Sequence, residues 1–280
     1  MNRNTLVAVN LLLAWVLSFP LVCAAAEGNP DSEASESWQL VRRSLFGDRT
    51  VRNDAMRSDG TGAVISLRAP ARAQDAAVVP VSISMSIEQT QQRFVRTVYL
   101  VIDRNPSPIA GVFNFTIDSG KADIETRVRV EDYTWMRAIA EMNDGSLFMS
   151  ARYVKAAGGC SAPNTAAGDF DAFAPRLKLK LDASSTRGKP SLAQLMIQHP
   201  NSSGLARDQL TQLYIPAYYV RTIEVTYAGK PVMSAQIDFS ISENPNFRFW
   251  FVPQVSAELK AVVVDTKERQ TDGSLRVEVQ

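Results

Sequence analysis

Lys155-Ala156-Ala157-Gly158-Gly159-Cys160-Ser161-Ala162-Pro163 is the stretch of this 280-residue chain best suited to covalent chemistry. A thiol reacts as its thiolate and needs access to do so. Gly158 and Gly159 immediately precede Cys160. Paired glycines favour a mobile backbone and, having no side chains, let that backbone enter a narrow channel. A thiol at the tip of such a segment has the design of a carrier arm, which holds a load covalently while partner proteins act on it in turn. The competing reading is an incidental thiol at the start of a linker, since most free cysteines are buried small hydrophobes. Neighbours of the Gly, Ser, Ala, Pro and Asn types favour the reactive alternative. The expectation is an exposed attachment site at Cys160, made mobile by Gly158 and Gly159. A bulky thiol reagent should then label the folded protein nearly as fast as the unfolded chain.

Other residues offer less. His199 is the one histidine, so no multi-histidine metal site is possible, and a Cys160–His199 nucleophile pair would need distant parts of the chain to meet. Next to Pro200, His199 reads as structural. The carboxylates are scattered, with no cluster of metal-ligand type. Arg127, Arg129, Arg137 and Arg152 alternate with apolar residues and read as solvated strand faces, with a partner-binding role as the alternative. Phe247, Phe249, Trp250 and Phe251 read as packing. No phosphate loop or dinucleotide fingerprint is present. The reading is a protein with no catalytic residues, metal or cofactor, and not an enzyme.

The second cysteine, Cys23, lies in a segment of a different kind. Arg3 precedes an apolar run over residues 6–22, and Ala24-Ala25-Ala26 follows. That pattern predicts a signal peptide over 1–26, cleaved before Glu27. The run is near the lower length limit for a membrane anchor, so the mature chain is expected in the periplasm without stable membrane insertion. Cleavage removes Cys23, and a single remaining thiol cannot staple the fold. A formal net charge of +1 gives no reason to expect nucleic acid or an anionic membrane as partner.

The elements that must position Cys160 are strands. Residues 27–37 read as a flexible N-terminus. Trp38, Val41 and Leu45 fall at helical spacing and predict a short helix over 38–46, stopped at Gly47. Asp59-Gly60-Thr61-Gly62 signals a turn. Val81, Ile83, Met85 and Ile87 then alternate with serines, and period-two strands follow through 154, with a hairpin at Asn143-Asp144-Gly145. Residues 158–175 read as arm and linker. Strands resume from Leu177, with Phe247, Phe249 and Phe251 sharing one face and Asp272-Gly273 closing the last hairpin. The fold class is all-β, with two β-sandwiches over 38–157 and 176–280.

At these motifs the chain resembles the SoxYZ sulfur-compound carriers, with both subunits fused. Leu45-Phe46-Gly47-Asp48, Val79-Pro80-Val81, Asp103-Arg104-Asn105-Pro106, Arg152-Tyr153-Val154-Lys155 and the Gly158-Gly159-Cys160 arm are similar to SoxY. His199-Pro200, Gly204, Ile215-Pro216-Ala217, Gly229-Lys230-Pro231-Val232 and Ser242-Glu243-Asn244-Pro245 are similar to SoxZ. The resemblance implies two immunoglobulin-like β-sandwiches packed together and a thiol that bears sulfur intermediates for periplasmic enzymes. In the separate subunit the arm ends the chain, whereas here Ser161-Ala162-Pro163 leads onward, so the arm is a loop anchored at both ends and stiffened by Pro163. The fused form resembles carriers associated with quinoprotein (PQQ-dependent) alcohol dehydrogenases.

The expected function is therefore a periplasmic carrier holding a sulfur-containing intermediate on Cys160 for sulfur-compound or quinoprotein dehydrogenase enzymes. Two alternatives stand beside it. One is a non-covalent accessory module of a quinoprotein alcohol-oxidation system. The other is a thiol redox enzyme, which would need a resolving thiol or an activating base.

Overall fold

A computed structural model describes residues 31–54, 63–163 and 174–280. The expected signal peptide, the expected turn at Asp59-Gly60-Thr61-Gly62 and most of the expected linker lie outside these residues. Helix α1 (Glu36–Phe46) begins two residues before the predicted start. The Ser35 side chain accepts from the Trp38 N–H at 3.3 Å and satisfies an orphan donor of the first turn. Gly47, at φ +58°, ends the helix. Trp38, Val41 and Phe46 form a small core of their own with Val101, Ile139, Leu147 and Met149.

The first half of the chain contributes β1 (Val51–Asn53), β2 (Ile65–Arg68), β3 (Val79–Met85), β4 (Val95–Ile102), β5 (Ile109–Phe115), β6 (Ile124–Val128), β7 (Thr134–Met142) and β8 (Leu147–Val154). The second half contributes β9 (Arg176–Leu181), β10 (Ser191–Gln198), β11 (Val220–Tyr227), β12 (Lys230–Ile237), β13 (Asn246–Phe251), β14 (Ala257–Asp265) and β15 (Gln270–Val277). Alternation explains most of them. Val79, Val81 and Ile83 of β3 are buried while Pro80 is exposed. Phe247, Phe249 and Phe251 of β13 are wholly buried, and burying each contributes about 1.5–3 kcal/mol.

Two sheets face each other across the core, as the all-β, immunoglobulin-like reading expects. One runs β1-β8-β7-β4-β5-β12-β11-β14-β15 and the other β2-β3-β6-β13-β10-β9. Each sheet passes through both halves. Strand β12 pairs antiparallel with β5 from Met233↔Phe115 to Ile237↔Gly111. Strand β13 pairs with β6 through Arg248↔Glu125 and Phe249↔Ile124. Behind these seams the core is continuous, with the rings of Phe113 and Phe247 6.0 Å apart.

Three local features differ from the expectation. Strands β1 and β2 were not anticipated. Asp272-Gly273 is no turn: Gly273 lies within β15 opposite Ala261. A Cβ there would stand 3.1 Å from the Leu177 Cβ, so this glycine marks a close approach between strands. The hairpin turns instead at residues 266–269, where the Asp265 carboxylate accepts from the Lys267 and Arg269 N–H groups at 2.8 and 3.0 Å.

Candidate functional site

Beyond β6 the chain stays extended through Val130, and this run forms the floor of the site. The Arg129 N–H donates to the Ser240 carbonyl at 2.7 Å and the Val130 N–H to that of Ala76 at 2.8 Å. Asn105 braces the run: its Nδ2 donates to the Arg129 carbonyl at 2.8 Å, and its Oδ1 accepts from the Glu131 N–H at 3.0 Å. Asn105 also donates to Ser240 Oγ at 3.0 Å, which ties the first half to the second.

The arm lies on this floor. The N–H groups of Gly158 and Gly159 donate to the carbonyls of Glu131 and Val130 at 2.8 and 2.9 Å. The Glu131 carboxylate then takes the Cys160 N–H at 2.8 Å, the Ser161 N–H at 3.2 Å and the Ser161 hydroxyl at 3.1 Å. From the second half, the Ser203 hydroxyl donates to the Cys160 carbonyl. Arg129 Nη1 reaches the Gly159 carbonyl at 3.3 Å, and its Nη2 the Asn201 carbonyl at 3.4 Å. Backbone groups of the arm are thus bonded by both halves at once.

This docking overturns the expectation of an exposed thiol. Cys160 is fully buried. Burial pushes its pKa up to about 12, with the Glu131 charge adding to the rise and Arg129 opposing it. At neutral pH the docked thiol is un-ionised and not a nucleophile. Glycine here permits close contact in place of the expected mobility. A Cβ on Gly159 would stand 2.0 Å from the Ala76 carbonyl oxygen. Gly158 sits at φ +79°, where a Cβ would approach only Ser161 Oγ, at 4.0 Å.

Two arginines read as solvated are also buried, Arg129 at 2% exposure and Arg137 at 0%. Burial pulls the pKa of Arg129 down, and the charges of Glu243 and Asp75 push it back up. Arg137 pairs with Asp103 at 2.7 Å and stacks 4.4 Å from the Trp38 ring. Arg152 is exposed and Arg127 half-buried.

His199 is buried in the second half. Its Nδ1 accepts from the Asn201 N–H at 3.0 Å, which puts the ring proton on Nε2, 3.7 Å from Asp265 Oδ2. Burial holds its pKa down to about 4 against the pull of Asp265, so it is neutral near pH 7. Its role is to shape the turn that carries Asn201 and Ser203. The charged groups acting on the thiol are Glu131, Arg129 and Asp238, so the geometry does not assemble a Cys160–His199 pair. Phe247, Phe249 and Phe251 are core, and Trp250 packs under Lys121 at 4.4 Å. Among the described residues no group of His, Cys, Asp and Glu is placed to hold a metal ion.

Glu131, Ser203 and Asn201 carry no local chemical signal in the sequence. Asn105 lies within Asp103-Arg104-Asn105-Pro106, and Ser203 lies between His199-Pro200 and Gly204. These motifs are far apart in sequence and meet around the arm.

Comparison with known families gives two matches. Sulfur oxidation protein SoxY matches residues 45–160, ending on the buried cysteine. Sulphur oxidation protein SoxZ matches residues 179–276. No curated protein matches the chain. Among solved structures, the sulfur carrier protein SoxY from Chlorobium limicola f thiosulfatophilum is 19% identical, with 45% of this chain and 97% of that one covered and a TM-score of 0.34. A superoxide reductase (neelaredoxin) from Ignicoccus hospitalis is 16% identical, with 39% and 96% covered and a TM-score of 0.33. At such scores neither likeness bears on function. The two family matches fall on the two halves joined at the β5–β12 and β6–β13 seams: the chain carries a SoxY domain and a SoxZ domain in tandem.

Proposed function

We propose that this protein is a periplasmic carrier, not itself an enzyme, that holds a sulfur-containing intermediate covalently on the Cys160 thiol and presents it to partner enzymes. One observation carries the reading. Cys160 follows Gly158-Gly159 at the last residue of the SoxY match, and its backbone is held by Glu131 of one domain and Ser203 of the other. The docked state protects the thiol, and loading takes place when the arm leaves its floor, where the thiol regains an ordinary pKa. The partners in this reading are periplasmic enzymes of a sulfur-compound or quinoprotein dehydrogenase system, the latter because the fused form resembles carriers of that kind.

Tetrathionate tests the chemistry because it brings both the sulfur and the oxidising S–S bond, which is reduced as the thiol is oxidised. The Cys160 thiolate attacks an inner sulfur, the central S–S bond breaks, thiosulfate leaves with the electron pair, and a Cys–S–S–SO₃⁻ adduct remains. The thiol proton goes to water. Intact mass should rise by one S–SO₃ unit per chain in the mature protein and by nothing in Cys160→Ser. A reductant should reverse the gain. No adduct on the wild-type thiol, even with the arm released, would end the carrier reading.

A further inference from the structure

The outer face of the six-stranded sheet carries a groove that crosses the seam between the domains. Its volume is about 980 Å³, and Arg68 of β2, Arg127 of β6, Arg152 of β8 and Arg248 of β13 line it against one carboxylate, Glu125. With a chain charge of only +1, this concentration of positive charge is local. Arg248 bonds Glu125 and Asp182, both at 3.1 Å. Arg127 and Arg152 each donate to a backbone carbonyl at 3.2 Å. A guanidinium has five N–H donors, so these contacts orient the arginines and leave donors over. Thr126 on the groove wall is 6% exposed, and its hydroxyl has no hydrogen-bond partner among the described residues.

The groove leads to the arm. Arg127 and Arg129 lie on the same side of one extended run, since the Arg127 carbonyl accepts from Ser242 and the Arg129 N–H donates to Ser240 across the Val128–Ile241 bridge. Arg127 lines the groove, and Arg129 bonds the arm at Gly159. The charges are too spread for one small oxyanion. Strands β2 and β13 are three interstrand steps apart in the sheet order, about 14 Å. Carboxylates spaced along an extended chain fit that separation.

We infer that this groove docks an extended acidic segment of a partner protein and so brings that partner beside the Cys160 arm. The binding does not depend on the carrier reading; only its purpose does. The probe is a short fluorescent peptide of alternating Glu and Ser, followed by anisotropy at low ionic strength with the mature protein. Saturable binding should weaken by about tenfold or more in Arg68→Glu/Arg152→Glu, and fade as salt rises. It should be unchanged in Arg43→Glu/Arg276→Glu, which makes the same charge change on other surfaces. The groove variant should still take the tetrathionate adduct on Cys160, so a failure of loading and a failure of docking are read separately. Absence of binding, equal weakening by the control variant, displacement of the peptide by low concentrations of sulfate or thiosulfate, or equally tight binding of a single-stranded DNA of matched charge would overturn the proposal.

Discussion

A methyl group at Gly159 would meet the carbonyl oxygens of Ala76 and Val130 at 2.0 and 2.7 Å, and both belong to backbone that cannot swing aside. Gly159→Ala should therefore hold the arm off its floor. Its thiol should react with a bulky maleimide nearly as fast as in the unfolded chain, while the wild type reacts more slowly by about tenfold or more, given the hydrogen bonds lost on opening. Glu131→Gln keeps an acceptor but loses its charge, and should fall between the two. A Gly159→Ala thiol as protected as the wild type would show that the arm does not dock as described. The sequence pointed to Cys160 and its glycines but not to their burial, because the groups that cover them come from positions 131 and 203. Arg129 and Arg137 show the same limit. Alternation reports which face a residue is on, not what lies over that face. The arm covers Arg129, and α1 covers Arg137.

The turn from His199 to Ser203 is the element by which the SoxZ domain reaches the arm, and its histidine makes it sensitive to acid. The folded pKa of His199 is about 4 against an ordinary 6.5. A depressed folded value means that the unfolded chain takes up the proton first. The stability is fully present above about pH 6.5 and declines as pH falls to about 4, by about 3 kcal/mol in all. Urea unfolding at a series of pH values through that window should show the decline in the wild type. His199→Gln should be less stable at neutral pH but flatter through the upper part of the window, before carboxylates titrate. Equal slopes in both proteins would assign the effect elsewhere. Elements of this kind were partly legible. Strands such as β3 and β13 alternate over six or seven residues, enough to read a period of two. Strand β1 has three residues and β2 four, too few for any period to register. Gly273 resembled a turn signal because the contact that requires a glycine, with Leu177, comes from another strand.

At the scale of the whole molecule, the two domains share both sheets and a continuous core. Period and composition announced two sandwiches. They could not announce the seams, because pairing between β5 and β12 depends on edges that no local pattern marks. The seams should outlast the covalent connection. With a specific protease site introduced between residues 164 and 173 and then cut, the halves should elute together by gel filtration without denaturant. Free separation would mean that the β5–β12 and β6–β13 pairings do not hold the domains. Both domains bond the backbone of Cys160, through Glu131 and Ser203, and the most direct test of the thiol's purpose is the intact mass of the protein isolated, without reductant, from the cells that make it. The account predicts a sulfur-containing mass gain that maps to Cys160, disappears on reduction and is absent from Cys160→Ser. A thiol found unmodified under every growth condition, or the same mass gain in Cys160→Ser, would contradict it.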